Sequence, residues 1–372
     1  MGCYLSYYYT LSLAGLSALV LFAIVQLYAR SSRQPWPRNV STSPNEKPNA
    51  TTPRPVQPIK GREKYRVMMD VRRMEPANWL SLDANYLPEH RVRSQLLAHE
   101  KHRVLRCLPE SGGACMEVLE EVVEFLCGRF PDAFERTVRQ GGKGACVANK
   151  LTGESFVFGT GQDALEPLEI AVRLTMEDLS VLLESADGED YYLAASASLF
   201  PVGWTVEERI GWTISQMHNP VPLWHQQVSS SVSKFLTRLT PQTPMERSTY
   251  FIEVRPPRES LLETLYRPSG LVDENGAAPA PSPHDIIVRR EVQTFRRLPR
   301  SGAIVFGVKT VLSPLDELPV RELQNLATEI RSWPDSVGEY RGRPAWGATA
   351  LEFCRLRTEA EAGGNLGEKI EV

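Results

Sequence analysis

No charged residue occurs between Met1 and Ala29, and the apolar run from Leu11 to Tyr28 is long enough to cross a hydrocarbon layer about 30 Å thick as one helix. Such a stretch divides the sequence before anything else is read. A cleaved leader would open with a basic region and end a short apolar core at small residues. Here the N-terminal flank is neutral and the run continues into Gln26, Leu27 and Tyr28, which favours a retained transmembrane anchor over residues 1–29. Arg30, Arg33 and Arg38 follow the span, so the positive-inside rule places a single-pass protein with its body in the cytosol, on an endomembrane such as the endoplasmic reticulum. Two patterns disagree. Asn39 and Asn49 head Asn-x-Ser/Thr glycosylation acceptors that matter only in a lumenal body, and MGCYLS fits the loose myristoylation pattern.

From residue 30 to 60, prolines recur among Ser, Thr and Asn with few large apolar residues, so this segment reads as a disordered stalk. Residues 61–357 form the body, and the acidic, glycine-containing stretch 358–372 reads as a frayed tail. With 42% hydrophobic and 23% charged residues the chain has globular proportions, while a net charge of -3 gives no global attraction to nucleic acid. The six cysteines are scattered and never form C-x-x-C, which argues against a zinc site, an iron–sulfur cluster or a disulfide scaffold.

Met116, Leu119, Val122, Val123 and Leu126 recur at helical spacing before Gly128 and Pro131, predicting an amphipathic core helix. DYYLAASASLFP, STYFIEV and GAIVFGVKTVL are β-branched or aromatic runs bounded by turn formers and read as strands. The class is therefore α+β. Thr205 and Glu208 form a capping box, after which Val206, Ile210, Ile214 and Met217 follow one face of a helix ending at His218. Asn219 before Pro220 is expected to leave the α region, and a second helix is expected after Pro222 carrying His225. The imidazole of His218 either caps the last helix carbonyls or acts as a ligand.

The order of NWLSLDANY, RFPDAF with VANKLTGESF, MEDLSVLLE, LFPVGWTVEERIGWTISQMHNPVP and REVQTFRRLPRSGAIVFGVKTVLSPL resembles the haem-dependent oxidative N-demethylase alpha-subunit family, from about Asn78 to about Pro314. This chain reads Arg247-Ser248-Thr249-Tyr250 where many members have Arg-x-Asn-Trp, and Arg289-Arg290-Glu291-Val292-Gln293 where Arg-x-Glu-Arg-Gln is usual. The resemblance implies a PAS-like antiparallel sheet with flanking helices that holds haem b, and oxygen-dependent removal of a methyl group from a small amine. It also implies electrons from a separate flavin and iron–sulfur reductase. The sequence agrees on that last point, since no G-x-G-x-x-G joins a strand to a helix.

On this reading His218 is the expected iron ligand, with His225 as its rival, while Arg247 and Arg296 are the expected partners of the haem carboxylates. His284 lies in a variable loop, and His90, His99 and His102 sit among charges. A cationic substrate needs a carboxylate or an aromatic face, for which Glu207, Glu208, Trp204 and Trp212 are near in sequence. Cys354 stands alone, without any surrounding ligand motif. Two other readings use the same body: a haem-binding sensor of oxygen or redox state, and a non-catalytic membrane-tethered interaction domain.

Overall fold

Ile286–Arg297 is a twelve-residue strand that pairs along almost its whole length with a neighbour on each side. The computed structural model describes residues 56–139, 144–161, 163–255, 259–268 and 280–367. The expected anchor from Leu11 to Tyr28 and the acceptors Asn39 and Asn49 lie outside the described residues. No helix among the described residues is long and apolar enough to cross a membrane.

Ten strands are described: β1 (Arg72–Arg73), β2 (Leu105–Cys107), β3 (Phe134–Val138), β4 (Ala145–Asn149), β5 (Glu154–Phe158), β6 (Asp178–Glu184), β7 (Tyr191–Ala197), β8 (Met245–Val254), β9 (Ile286–Arg297) and β10 (Ile304–Pro314). Seven form one antiparallel sheet in the order β1-β8-β9-β10-β6-β7-β2, and β3-β4-β5 form a smaller antiparallel sheet. Gly302, at φ 70°, closes the β9–β10 hairpin, where Leu298 N–H donates to Ala303 O at 2.8 Å. The mixed α+β class with an antiparallel sheet and flanking helices is as expected.

One face of the large sheet is packed by the Gly112–Arg129 and Pro167–Leu174 helices, whose Val118, Leu119, Val122, Ile170 and Val172 are almost fully buried. At the β8–β9 end, Val320–Ser332 and Arg343–Gly367 cover Ile252, Ile286 and Val288. Leu182, Leu193, Phe295 and Ile304 instead meet Ile214, Trp224, Val228 and Leu236, from the helical segment between β7 and β8. Because successive side chains on a strand point to opposite faces, β9 presents Val288 and Arg290 to one layer and Gln293 and Phe295 to the other.

Five expectations are corrected. The stretch from Val206 to His218 is two short helices, Val206–Arg209 and Ile214–His218, because Gly211 takes φ 83° and its N–H donates to Leu193 O on β7 at 2.9 Å. Asn219 stays in the right-handed region at φ -53°, and the chain turns at Leu223, whose φ of 64° is left-handed. The helix expected after Pro222 is broken at Val228 into Trp224–Gln227 and Ser229–Arg238. At the C-terminus, Arg343–Gly367 runs on into the stretch read as a frayed tail, and Arg355 pairs with Glu359 at 2.6 Å one turn on. The stalk also ends earlier than expected: Ile59 is buried, its N–H donates to Glu322 Oε1 at 2.8 Å, and its carbonyl accepts from Asn325.

Candidate functional site

A cavity of about 740 Å³ opens over the sheet face that carries Ser180, Leu182, Gln293 and Phe306. That volume lies within the ~300–1,000 Å³ common for cofactor and ligand sites. The two short helices and the Pro220–Trp224 corner stand over it, and the segment from Val56 to Asp70 runs along its side. Asp70, at φ 50°, holds this strap closed on itself by accepting from Lys60 Nζ at 2.5 Å and Arg62 Nη2 at 3.0 Å.

His218 lines the cavity. Its helix begins with a capping box in which Thr213 N–H donates to Gln216 Oε1 at 2.8 Å and Gln216 N–H donates to Thr213 Oγ1 at 3.2 Å. The imidazole Nδ1 lies 2.8 Å from Ile214 O. A carbonyl only accepts, so the proton sits on Nδ1 and the lone pair on Nε2. No described residue hydrogen-bonds to Nε2. Burial is the chief cause that holds the ring's pKa down at about 4, against the pull of the Ile214 carbonyl, and the charges of Arg247 and Arg209 push the same way. The ring is therefore neutral at physiological pH. Leu223's left-handed turn brings Trp224 back beneath it, and the two rings stack with centroids 4.1 Å apart and planes 13° off parallel. The capping explanation and the ligand explanation thus occupy different nitrogens of one ring.

Below His218, the sheet supplies a relay of polar groups. Arg247 Nε donates to Gln293 Oε1 at 2.6 Å, and Gln293 Nε2 donates to Glu291 Oε2 at 2.7 Å. Arg247 and Gln293 are register partners across β8 and β9. Glu291 has no cation within ion-pairing distance among the described residues, and burial raises its pKa while the more distant Arg289 opposes. The other carboxylates of the cavity are committed: Asp178 to Arg93 at 2.9 Å, Glu329 to Tyr250 Oη at 2.6 Å, and Asp70 to the strap. Trp224 Nε1–H is buried with no acceptor among the described residues.

Of the expected site residues, His218 and Arg247 reach this cavity and two do not. His225 is exposed, with Nε2 3.2 Å from Asn219 Oδ1. Arg296 follows Phe295 on β9 and so points to the opposite face, where it pairs with Glu121 at 2.9 Å and lies 3.7 Å above the Trp79 ring. Glu208 serves its capping box, Thr205 N–H donating to Oε2 at 2.9 Å, and Glu207 faces Arg106. Trp204 lines the cavity, whereas Trp212 is exposed. His284 sits 2.5 Å from Asp316, and His99 and His102 are exposed. His90 is not solvated as expected: it stacks on Tyr86 and meets Glu154 at 2.7 Å. Cys354 is a buried thiol whose pKa rises to about 11 for want of solvation, which makes it inert. Glu291 enters the sequence reading only within the Arg289-Arg290-Glu291-Val292-Gln293 motif and receives no role there, because the arginines around it draw the reading toward anion binding.

Among the described residues no group of three or more His, Cys, Asp or Glu is placed to hold a metal ion, so a metal at His218 would bring its remaining ligands with it. The set suits a ligand that combines a Lewis-acidic centre with anionic groups, beside a pocket for a cation. A family model described as haem-dependent oxidative N-demethylase, alpha subunit-like, matches residues 70–351.

Proposed function

The chain belongs to the haem-dependent oxidative N-demethylase, alpha subunit-like family, and from that premise we propose that it binds haem b in the cavity below His218 and oxidatively removes a methyl group from a small amine. The observation that carries this reading is the unpartnered Nε2 of a neutral, fixed imidazole facing a cofactor-sized cavity. His218 would be the residue that holds the haem iron. Its Nδ1–H bond to the Ile214 carbonyl fixes the tautomer and ring orientation, as ligating histidines require. The stacked Trp224 braces one face of the ring.

When bound, the haem would supply the redox centre at which O2 is reduced and the N-methyl group oxidised, releasing formaldehyde. The chain's own residues prepare the amine. Small alkylamines are cations at neutral pH, and Glu291 is the cavity carboxylate without a cation of its own among the described residues. Its free Oε1 can hold the ammonium and take its proton, exposing the nitrogen lone pair. Gln293 keeps Glu291 Oε2 in place, and Arg247 fixes which way the Gln293 amide points. Electrons would come from a separate flavin and iron–sulfur reductase, a division of labour that the alpha-subunit description supports. The antiparallel sheet with the cavity on one face supports a PAS-like reading of the body. The apolar, uncharged run from Leu11 to Tyr28 supports a membrane-tethered, cytosol-facing protein.

The test is the absorption spectrum of purified full-length protein beside His218→Ala, followed by formaldehyde assay with a chemical reductant and a panel of methylamines. A Soret band in wild type, lost or shifted in the variant, and formaldehyde release support the reading. Pigment without formaldehyde would instead indicate a haem sensor. Colourless protein that takes up no added haem overturns it.

A further inference from the structure

We infer that Arg209 is the anchor for a carboxylate of the cavity's ligand and, resting on the haem reading above, that this carboxylate is a haem propionate. Arg209 ends the Val206–Arg209 helix and lines the same cavity as His218. The segment joining the two is pinned to β7, with Gly211 N–H donating to Leu193 O and Leu193 N–H to Trp212 O, each at 2.9 Å. Both side chains are therefore held over one sheet face. The Arg209 guanidinium is half-buried, 5.1 Å from the Trp204 ring centroid, and has no hydrogen-bond acceptor and no carboxylate within 4 Å among the described residues.

Glu208 is held at the helix cap and makes no ion pair with Arg209, so its charge only partly offsets the burial. The other half-buried or buried guanidiniums of the cavity have acceptors: Arg62 has Asp70, Arg247 has Gln293, Arg290 has Glu322 at 2.7 Å, and Arg341 has Tyr250 O at 3.2 Å. Arg209 is thus a half-buried cation without a hydrogen-bond or ion-pair partner among the described residues. Burial accordingly pushes its pKa down. A guanidinium always carries charge and presents paired donors matched to a carboxylate, so an anionic ligand group relieves the penalty that the protein does not. Arg296, the other arginine expected to hold a propionate, already has Glu121.

The test titrates full-length apoprotein with haem b and, separately, with haem dimethyl ester, whose propionates are neutral, following the Soret band. Arg209→Gln should weaken haem b by about tenfold or more and leave ester affinity at the wild-type value, with Arg209→Lys between. Equal weakening for both ligands assigns Arg209 to folding alone, and no weakening for either removes it from the site; both overturn the inference. Wild type that yields no Soret band with either ligand is a different failure, that of the haem reading itself.

Discussion

The His218 imidazole lies flat on the Trp224 indole, 4.1 Å between centroids, although a left-handed residue, Leu223, has to be inserted to bring the two together. A non-glycine residue at positive φ costs roughly 1–2 kcal/mol, so the corner is held by what it packs. Trp224 is the anchor, being almost wholly buried among Val228, Leu236 and Leu182. Trp224→Ala should therefore lower stability by about 3–5 kcal/mol in denaturant unfolding. Trp224→Phe should retain most of it, since an aromatic face remains for His218. A loss below about 1 kcal/mol in the alanine variant would show that the corner stands without the indole.

The depressed pKa of His218 makes a signed prediction. Its folded value is about 4 against an ordinary 6.5, so between those pH values the unfolded chain binds the proton and the folded chain does not. Stability of the haem-free protein then falls as pH drops from about 6.5 to about 4, by an amount on the order of 3 kcal/mol from this group, and is flat in this group above pH 7. His218→Phe removes the group and should make the curve shallower over that window. Parallel curves for wild type and variant, measured by urea unfolding at each pH, would contradict the assignment.

Much of this layout was legible and some was not, for identifiable reasons. The Gly112–Arg129 helix and the strands β7, β8 and β10 announce themselves because their apolar residues keep the period of the element they form. The strand β9 does not, because Arg289, Arg290, Glu291, Arg296 and Arg297 break any apolar pattern; it is central because Glu253, Glu322 and Glu121 neutralise three of those arginines from distant parts of the chain. Ion pairing across such sequence distances leaves no local signal. For the same reason Arg296 looked like a ligand contact when only its neighbours in sequence were known. His218 was readable as a candidate from its place at a helix end beside Pro-Val-Pro, but the Nδ1–Ile214 bond that frees Nε2 needed coordinates.

Glu291 makes a prediction in which stability and function move apart. It is a buried carboxylate that receives one hydrogen bond, from Gln293, and no close cation, so ionisation costs free energy in the absence of ligand. Glu291→Gln keeps the shape and removes the charge; it should leave stability unchanged or raise it by about 1 kcal/mol. The same substitution should weaken binding of alkylammonium ions by about tenfold or more, read by calorimetry, because a charge-assisted contact is worth about 1.5–3 kcal/mol. Unaltered amine affinity would take Glu291 out of substrate binding whatever happens to stability.

The close approach of β9 and β10 is tested where Gly307 faces Thr294 across the register. A Cβ on Gly307 would stand 2.6 Å from Thr294 Oγ1, inside any contact that real side chains make. Thr294 is buried and β-branched, so its hydroxyl cannot simply swing away, and that hydroxyl has no hydrogen-bond partner among the described residues. Gly307→Ala alone should cost about 1–3 kcal/mol through overpacking. Thr294→Ala should cost less than an ordinary core truncation, because it also removes an unsatisfied polar atom. The pair should then be non-additive: in the Thr294→Ala background, Gly307→Ala loses its clash and gains β-strand favour over glycine, so its cost should fall to about zero or change sign. Additive costs in a double-mutant cycle would mean the two strands separate locally to admit the methyl group, and that the sheet below the cavity is softer than its register implies.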